Sequence, residues 1–362
     1  MSRVVLAMSG GVDSSVAAWL LREQGHDVVG VFMRHGIQAE EACRVDPGEL
    51  KIHKQGCCSA ADAEDARRVA GMFDIPFYAL NLEAEFGRIV DYFVGEYTAG
   101  RTPNPCVVCN TWLKFGKLFD YADGVGAEYV ATGHYARMLP TGDADTPALC
   151  RGRDESKDQS YVLFGVQRQF LPRLCLPVGE YRKDRIRQTA AELGLRVAEK
   201  KDSQEICFVP DQDHARFVRE RRGGEGTSGE IVTTDGRVVG RHDGLERFTI
   251  GQRKGLGIAL GKPRFVVRLE PETRRVVVGT REELACGGLT AAGANWLVDP
   301  RADSFRCCVK IRYRTPAFPA TVAMLDANRF RVVFDEPCYG IAPGQAAVCY
   351  QDDRVLGGGW IQ

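Results

Sequence analysis

The hydrophobic pattern in the first half of the chain alternates between short apolar runs and amphipathic stretches of helical period. The apolar runs predict strands at residues 4–8, 28–33, 77–80 and 129–132. Helical periodicity predicts helices over residues 13–24, from an N-cap at Ser59 through Met72, and over residues 83–97. This alternation is typical of an α/β domain, a doubly wound parallel sheet with helices on both faces. Gly10-Gly11, Met33 and Gly133-His134 all follow strands, so we expect them at the ligand-binding edge of the sheet.

The pattern changes beyond about residue 215, where the helical period fades and glycines multiply. Asp235-Gly236 is a hairpin signal between predicted strands at 230–234 and 237–241. Further strands are predicted at 264–278, 306–313, 329–334 and 346–350. The second half is therefore predicted to be mainly β, in barrel-like modules, with residues 221–229 as the best candidate linker.

Composition gives more information about the cellular compartment of the protein than about its function. The 362 residues carry 48 Lys+Arg and 48 Asp+Glu, so net charge gives no argument for nucleic acid and any polyanion site must be a local patch. We see no signal segment and no apolar run long enough to span a bilayer, which predicts a cytoplasmic protein without a membrane partner. Thirteen cysteines in a reducing compartment are not a disulfide framework. We interpret Cys57-Cys58 as structural.

The most informative motif is Ser9-Gly10-Gly11-Val12-Asp13-Ser14-Ser15, which lies between a predicted strand and a predicted helix. Two glycines let the backbone approach a phosphate, and the helix N-terminus adds N–H donors and a positive dipole. The serine hydroxyls can add further donors. An ordinary glycine-rich turn is the alternative, but the whole string in this context favours a nucleotide site. The P-loop pattern and its lysine are absent.

The motif resembles the pyrophosphatase loop of ATP enzymes that release AMP and pyrophosphate, which include GMP synthetase, NAD synthetase and tRNA-modifying enzymes. Later motifs distinguish among them: Gly100-Arg101-Thr102-Pro103-Asn104-Pro105-Cys106-Val107-Val108-Cys109-Asn110, Ala131-Thr132-Gly133-His134-Tyr135, Lys157-Asp158-Gln159-Ser160-Tyr161, Lys201-Asp202-Ser203-Gln204-Glu205-Ile206-Cys207-Phe208, Gly251-Gln252-Arg253-Lys254-Gly255, Arg312-Tyr313-Arg314 and Pro343-Gly344-Gln345. In this order, across essentially the whole chain, they resemble the bacterial tRNA-specific 2-thiouridylase family.

The resemblance implies a fold and a reaction. The fold would be an adenine-nucleotide α hydrolase-like domain at residues 1–215, a mainly β central domain at 216–285 that also draws on about 169–199, and a C-terminal β-barrel at 286–362. The reaction would be ATP-dependent thiolation of the wobble uridine in the anticodon region of certain tRNAs. Oxide is a poor leaving group, and adenylation of the uridine 2-oxygen converts it to AMP. Another pyrophosphatase-loop synthetase or amidotransferase, or a non-catalytic tRNA-binding protein, remains an alternative.

Two cysteines carry the sulfur chemistry that the resemblance implies, and a thiolate is the reactive form. Cys207 matches the residue that holds a persulfide received from a sulfur-relay or cysteine desulfurase protein. Cys109 matches the nucleophile that attacks this persulfide. Cys106 stands where the family usually has an aspartate, so an acid/base role is in doubt there. Cys106, Cys109 and Cys207 together are candidate ligands of a four-iron–four-sulfur cluster or a zinc ion, and a spare or resolving thiol at Cys106 is the alternative.

The resemblance also assigns contacts to ATP and to tRNA. Together with Mg²⁺, ATP is expected to contact Ala7, Met8, Ser9, Gly10, Gly11, Val12, Asp13, Ser14, Met33 and Gly133. For tRNA, the expected contacts are Asn104, Pro105, Cys106, His134, Lys157, Asp158, Gln159, Arg312, Tyr313 and Gln345. Even spacing of Arg306, Lys310, Arg312 and Arg314 on a predicted strand would place four cations on one face, which suits a phosphate backbone. A solvated face is the alternative.

Overall fold

The computed structural model of the protein describes residues 1–36, 59–142, 144–202, 206–209, 213–223, 226–300 and 302–362. Cys57-Cys58, residues 203–205 of the Cys207 motif and residues 224–225 of the candidate linker lie outside the described residues. The chain divides into two compact units. The first comprises Met1–Ile89, Cys106–Asp211 and Asp353–Val355, and the second comprises Val90–Pro105, Gln212–Asp352 and Leu356–Gln362.

A parallel sheet organises the first unit. The strands are β1 (Arg3–Ala7), β2 (Asp27–Arg34), β3 (Phe77–Asn81), β4 (Tyr129–Ala131), β5 (Ala136–Thr141), β6 (Ala144–Arg151) and β7 (Leu174–Cys175). Five of them form the sheet in the order β3-β2-β1-β4-β7, with every neighbouring pair parallel. β5 and β6 form an antiparallel hairpin. The predicted parallel sheet is confirmed, and it places the strand ends before Ser9, His35 and Thr132 at one edge.

The first three helices begin and end close to the predicted residues, and four further helices were not predicted. They are α1 (Val12–Glu23), α2 (Ala60–Met72), α3 (Glu83–Thr98), α4 (Pro105–Val108), α5 (Leu118–Gly124), α6 (Lys183–Glu192) and α7 (His214–Arg221). Ser59 caps α2 through a capping box with Asp62, as the sequence predicts. A π-helical segment, Cys109–Lys117, joins α4 to α5. The apolar faces of β1, α1 and α2 share one buried core with α6, through Leu6, Val16, Val69 and Ile186.

The second unit contains two β structures. The smaller is a sheet of β8 (Gly229–Thr233), β9 (Val238–His242), β10 (Phe265–Glu270) and β11 (Arg275–Gly279), in the order β10-β11-β8-β9. Its buried side chains include Ile231, Phe248 and Val276. The single run predicted at 264–278 is thus two strands, because Arg274 N–H bonds the Pro271 carbonyl in a turn.

The larger β structure is a closed barrel. Its strands are β12 (Ala285–Trp296), β13 (Ser304–Lys310), β14 (Phe318–Met324), β15 (Arg329–Tyr339), β16 (Ala346–Gln351) and β17 (Arg354–Ile361). They neighbour one another in the order β12-β15-β14-β13-β16-β17, and β12 also pairs with β17, which closes the ring. Val309, Val322 and Phe330 are completely buried in its core. The fold class inferred from the sequence is confirmed.

One predicted strand is wrong at its C-terminal end. β13 stops at Lys310, and Arg312 and Arg314 lie in the turn that follows. In this turn the Thr315 N–H bonds the Arg312 carbonyl at 3.3 Å, and the Arg312 guanidinium donates to the Ile250 carbonyl at 2.6 Å. The four cations therefore do not share one face of a strand.

Candidate nucleotide site and sulfur-transfer residues

The loop between β1 and α1 adopts a conformation that only glycine accommodates. Gly10 has φ +72°, and a Cβ there would lie 2.1 Å from the carbonyl oxygen of Asp62 in α2. Gly11 is the N-cap of α1 and offers no side-chain cap to its first turn. The N–H groups at the start of this helix are therefore placed to receive an anion.

The serines of the loop stabilise it from inside. Ser14 Oγ accepts from the Ser9 N–H at 3.2 Å and donates to the Gly11 carbonyl at 3.1 Å. Ser15 Oγ donates to the same carbonyl at 2.8 Å. Both side chains are buried, whereas Ser9 is exposed. All three hydroxyls expected to add donors for phosphate thus have a contact within the loop, since Ser9 Oγ lies 3.2 Å from Ser14 Oγ.

Asp13 is held by two groups that the sequence did not single out as partners. Lys183, at the start of α6, donates to both Asp13 carboxylate oxygens at 2.7 and 2.8 Å. The hydroxyl of Tyr135 donates to Asp13 Oδ1 at 2.7 Å. Burial, and then the Asp13 carboxylate, raise the pKa of Tyr135, so the phenol remains a donor at neutral pH.

Asp202 extends this network. It contacts Lys183 and Lys157 at 2.8 Å each and Arg187 at 2.9 Å. Burial acts to raise the pKa of Asp202, but hydrogen bonds from Lys157 and Lys183 hold it at about 2. Lys157, expected at tRNA, is therefore paired with a carboxylate in this unit.

Lys200 lies on the other side of the loop. Its ammonium donates to the Gly10 carbonyl at 2.9 Å, to Asp62 at 2.6 Å and to Asp65 at 2.8 Å. Against the opposing effect of burial, Asp62 and Asp65 raise the pKa of Lys200, so the ammonium stays charged. Lys200 directly precedes the motif that begins at Lys201, and Asp202 is the second residue of that motif.

The other positions expected at ATP lie around this loop. Gly133 follows β4, and a Cβ there would lie 2.8 Å from the backbone nitrogen of Ser14. Ala7, Met8 and Val12 are buried at the two ends of the loop. Met33 is half-buried and pairs with Leu80 across β2 and β3. The structure thus brings Gly133 against the first turn of α1, at the strand edge where a ligand of this sheet would bind.

His134 is a buried, neutral histidine. Its Nδ1 lies 2.8 Å from Thr132 Oγ1, and its Nε2 lies 3.5 Å from the Lys114 ammonium. Burial, and then the Lys114 charge, lower the pKa of His134 well below its usual value. The neutral ring offers a hydrogen bond rather than a charge to any ligand.

Two further residues expected at tRNA stabilise the chain around Tyr135. Asp158 is buried and accepts from the N–H groups of Gly152 and Ser160 at 3.0 Å each. Gln159 Oε1 accepts from the Tyr135 N–H at 2.9 Å. Asp158 thus stabilises the segment after β6, and Gln159 connects that segment to the one after β4.

The three candidate sulfur residues all belong to the first unit. Cys106 is exposed, and Cys109 and Cys207 are half-buried. Cys109 is the first residue of the π-helical segment, a geometry that is frequent at functional sites. Phe208, next to Cys207, is buried and packs edge-on against Phe86 at 5.6 Å.

No preformed metal site is seen at these cysteines in the part of the chain that the structure describes. Within the parts of the chain that the structure describes, all three cysteines included, no group of three or more His, Cys, Asp or Glu side chains could hold a metal ion. Cys106, Cys109 and Cys207 therefore form no ready ligand set.

The same described ranges contain no helix that is long and apolar enough to cross a bilayer.

The remaining residues expected at tRNA lie in the second unit. The Gln345 amide donates to the Thr102 and Pro103 carbonyls at 3.1 and 3.0 Å, and its Oε1 lies 3.5 Å from Asn104 Nδ2. Pro105, the first residue of α4, is buried. Tyr313 is exposed, with the Lys310 ammonium 5.7 Å from its ring centroid. Gln345 thus fixes the backbone turn that precedes Cys106.

Three family models match successive parts of the chain. Residues 2–211 match a tRNA methyl transferase HUP domain, residues 215–280 a tRNA methyl transferase PRC-barrel domain, and residues 287–361 an aminomethyltransferase beta-barrel domain. A solved 4-thiouridine synthetase–RNA complex with bound ATP covers 61% of this chain and 50% of its own at 16% identity, with a TM-score of 0.36. That likeness is too distant to carry an argument about function.

Curated relatives match from end to end. A protein from Rhodopirellula baltica named tRNA-specific 2-thiouridylase MnmA is 56% identical, and the match covers 100% of this chain and 96% of that protein. Proteins of the same name from Carboxydothermus hydrogenoformans and Geobacter metallireducens are 48% and 49% identical, each over 99% of this chain and over 97% and 96% of their own. The chain therefore belongs to the tRNA-specific 2-thiouridylase family.

Proposed function

We propose that this protein is a tRNA-uridine 2-sulfurtransferase, which uses ATP to replace the 2-oxygen of the wobble uridine of certain tRNAs by sulfur. The observation that carries the proposal is the loop around Gly10 and Gly11, where two close backbone approaches require glycine at Gly10 and Gly133. A nucleotide-binding loop of this kind, in a member of this family, suits adenylation of the uridine oxygen.

The first step uses the loop. Phosphates of ATP would bind the N–H groups at the start of α1, where the helix dipole favours negative charge. Mg²⁺, bound to the ATP phosphates, would supply positive charge for the departing pyrophosphate. Attack of the uridine 2-oxygen on the α-phosphorus releases pyrophosphate and leaves an adenylated uridine.

The second step uses the cysteines. A cysteine desulfurase or sulfur-relay protein would transfer one sulfur to Cys207, which then carries a persulfide. The Cys109 thiolate attacks the inner sulfur of Cys207, which forms a Cys109–Cys207 disulfide and releases hydrosulfide. Hydrosulfide attacks C2 of the adenylated uridine, and AMP leaves with the oxygen. The disulfide must be reduced by a thiol reductant before the next turnover.

The tRNA surface would include the exposed ring of Tyr313 and the turn at Asn104. Tyr313 offers an aromatic face, and the nearby Lys310 and Arg314 offer charge for phosphates. His134 would meet the target base as a neutral hydrogen-bonding group. Lys157, Asp158, Gln159 and Arg312 would act on tRNA through the segments that they hold.

The experiment measures two products separately, tRNA-dependent AMP release and 2-thiouridine in the tRNA. Cys109→Ser and Cys207→Ser are expected to lose 2-thiouridine and keep AMP release, since adenylation needs neither thiol. Cys286→Ser, which changes an exposed cysteine of the barrel, is the matched control and should keep both. If Cys109→Ser or Cys207→Ser thiolates tRNA at the wild-type rate, that cysteine has no part in the mechanism. Release of pyrophosphate in the absence of tRNA would instead favour another pyrophosphatase-loop synthetase.

Cys106 is tested in the same assays. A carboxylate there restores the usual family residue, so Cys106→Asp is expected to preserve or raise thiolation by persulfide relay. A cluster mechanism makes the opposite prediction, because aspartate is a poor substitute for a thiolate on iron. Iron analysis after anaerobic purification and reconstitution completes the comparison. An active, iron-free wild type with an active Cys106→Asp variant excludes the cluster, whereas joint loss of iron and activity overturns the relay.

A further inference from the structure

The proposed chemistry gives no role to Lys200, a charged side chain beside the nucleotide loop. The Lys200 ammonium reaches three acceptors at once: the Gly10 carbonyl at 2.9 Å, Asp62 at 2.6 Å and Asp65 at 2.8 Å. The two carboxylates belong to α2, and the carbonyl belongs to the loop itself. The two carboxylates are sufficient for an ion pair that stabilises the fold. The contact with the Gly10 carbonyl therefore needs a separate explanation.

Peptide geometry gives that explanation. In a trans peptide the carbonyl and the N–H of the next residue point in opposite directions. A cation on the Gly10 carbonyl therefore fixes the Gly11 N–H so that it points the opposite way within the peptide plane, away from Lys200. Gly10 and Gly11 are the residues of the loop whose backbone rotates most readily, because they lack Cβ atoms. Lys200 removes this freedom where a phosphate is expected to bind.

The same segment is anchored at further points. Arg187 of α6 donates to the carbonyls of Ala198 and Lys200 at 2.7 and 2.9 Å. Asp202 reaches Asp13 through Lys183, which contacts both carboxylates. Residues 198–202 are thus tied to the two ends of the loop, at Gly10 and at Asp13, a few residues before Cys207.

We propose that Lys200 is a positioning residue for ATP: it holds the Gly10–Gly11 peptide so that the Gly11 N–H faces the phosphates. This inference rests on the proposed function only in that the loop binds ATP. Lys200 does not itself contact the nucleotide in this proposal. It acts through the peptide, and it joins the loop to the segment that leads to Cys207.

The test compares ATP affinity of the full-length protein by titration calorimetry, without tRNA or sulfur donor. Lys200→Met keeps the length of the side chain and removes the donor, and we expect ATP to bind at least about tenfold more weakly, as for loss of a hydrogen bond to a charged group. Arg68→Met is the matched control, because it removes a cation from the helix that contains Asp62, and Arg68 pairs there with Glu64. Its ATP affinity should equal that of the wild type.

A second variant separates positioning from stability. Lys200→Arg keeps the charge beside Asp62 and Asp65 and so keeps the fold, but a planar guanidinium cannot reproduce the geometry of an ammonium. We expect weaker ATP binding with an unchanged melting temperature, and a raised KM for ATP with a smaller change in kcat. If Lys200→Met does not fold, Lys200→Arg decides alone. If the folded Lys200 variants bind ATP as tightly as the wild type does, the positioning role of Lys200 is overturned. If the wild type binds ATP but makes no 2-thiouridine, only the proposed function is contradicted.

Discussion

Individual glycines show how tightly backbone segments approach one another around the nucleotide loop. At Gly133 the nearest atoms to an added Cβ are backbone atoms of Asp13 and Ser14, which cannot rotate away as a side chain could. The residue therefore sets the distance between the end of β4 and the first turn of α1. This close approach depends on Gly133 alone, so a substitution that adds one methyl group there can test it.

Gly133→Ala is expected to weaken ATP binding and to destabilise the protein by about 1–3 kcal/mol, the usual cost of overpacking. The Cβ would lie 2.8 Å from the Ser14 nitrogen, so α1 must shift. Gly124→Ala is the matched control: Gly124 ends α5 with no atom within 4 Å of its added Cβ, and alanine there should be neutral or slightly stabilising. Urea denaturation and ATP titration measure both effects, and equal behaviour of the two variants would contradict the close approach.

The buried His134 makes stability depend on pH. Its folded pKa is lowered, so between that value and about 6.5 the unfolded chain binds a proton that the folded chain does not. Wild-type stability should therefore fall as pH drops below about 6.5, by at most about 1.4 kcal/mol per pH unit from this group. His134→Gln, which cannot titrate, should show a flatter dependence. Denaturation curves from pH 7.5 to 5 give the slopes, and parallel curves would refute this assignment.

Residue chemistry could be predicted from the sequence where it depends on local spacing, and not where it depends on distant partners. The glycines of the loop and Gly133 were identified because they follow strands. The contacts Lys183–Asp13 and Lys200–Gly10 were missed, because they join residues far apart in the chain and a lysine alone carries no signal of its partner. Asp158 and Gln159 were expected at tRNA, whereas their hydrogen bonds in the structure are made within the protein.

At the scale of elements, the π-helical segment Cys109–Lys117 positions the candidate nucleophile. It packs where Gly165 approaches Thr111, with an added Cβ at Gly165 only 2.2 Å from Thr111 Oγ1. Asn110 reaches across the same contact and donates to the Val162 carbonyl at 3.1 Å. The orientation of this segment thus depends on the turn at residues 162–165.

Gly165→Ala should lower the rate of 2-thiouridine formation more than ATP affinity, because it displaces the segment that begins at Cys109 and leaves the loop untouched. We expect a stability loss of about 1–3 kcal/mol. Thr111→Ala removes the atoms that clash, so the double variant should recover most of the loss. A double-mutant cycle measures the coupling, and strict additivity of the two changes would show that the contact does not position the segment.

The turn after β13 supports a second element-scale prediction. Arg312 lies against Gly251 and Gly340 and donates to the Ile250 carbonyl, whereas Arg314 is exposed. Arg312→Ala should cost on the order of 1–3 kcal/mol, since a half-buried carbonyl loses its donor. Arg314→Ala should change stability by less than about 0.5 kcal/mol, and it should reduce the salt slope of tRNA binding by about 0.7–0.9. Unchanged tRNA affinity in both variants would make the turn a structural feature only.

The strand ends show why element boundaries are harder to predict than elements. β13 was expected to reach Tyr313, because alternating cations look like a strand face. The strand ends at Lys310, and in the turn that follows Arg312 bonds the half-buried carbonyl of Ile250, which is remote in sequence. Hydrophobic period predicts which segments form strands, but long-range bonds decide where they stop. The domain boundaries, at residues 1–215, 216–285 and 286–362, stay predictions.

At the scale of the whole molecule, the order of strands in the barrel has a consequence for synthesis. β12 pairs with β15 on one side and with β17 on the other, and Ala291 of β12 lies opposite Ile361 of β17. During translation β12 leaves the ribosome long before β17 exists, so one edge of β12 has no partner until nearly the entire barrel sequence has been made. Nascent chains arrested before β17 should therefore expose an open edge that recruits chaperones or other chains, and release of residues through Ile361 should end that exposure.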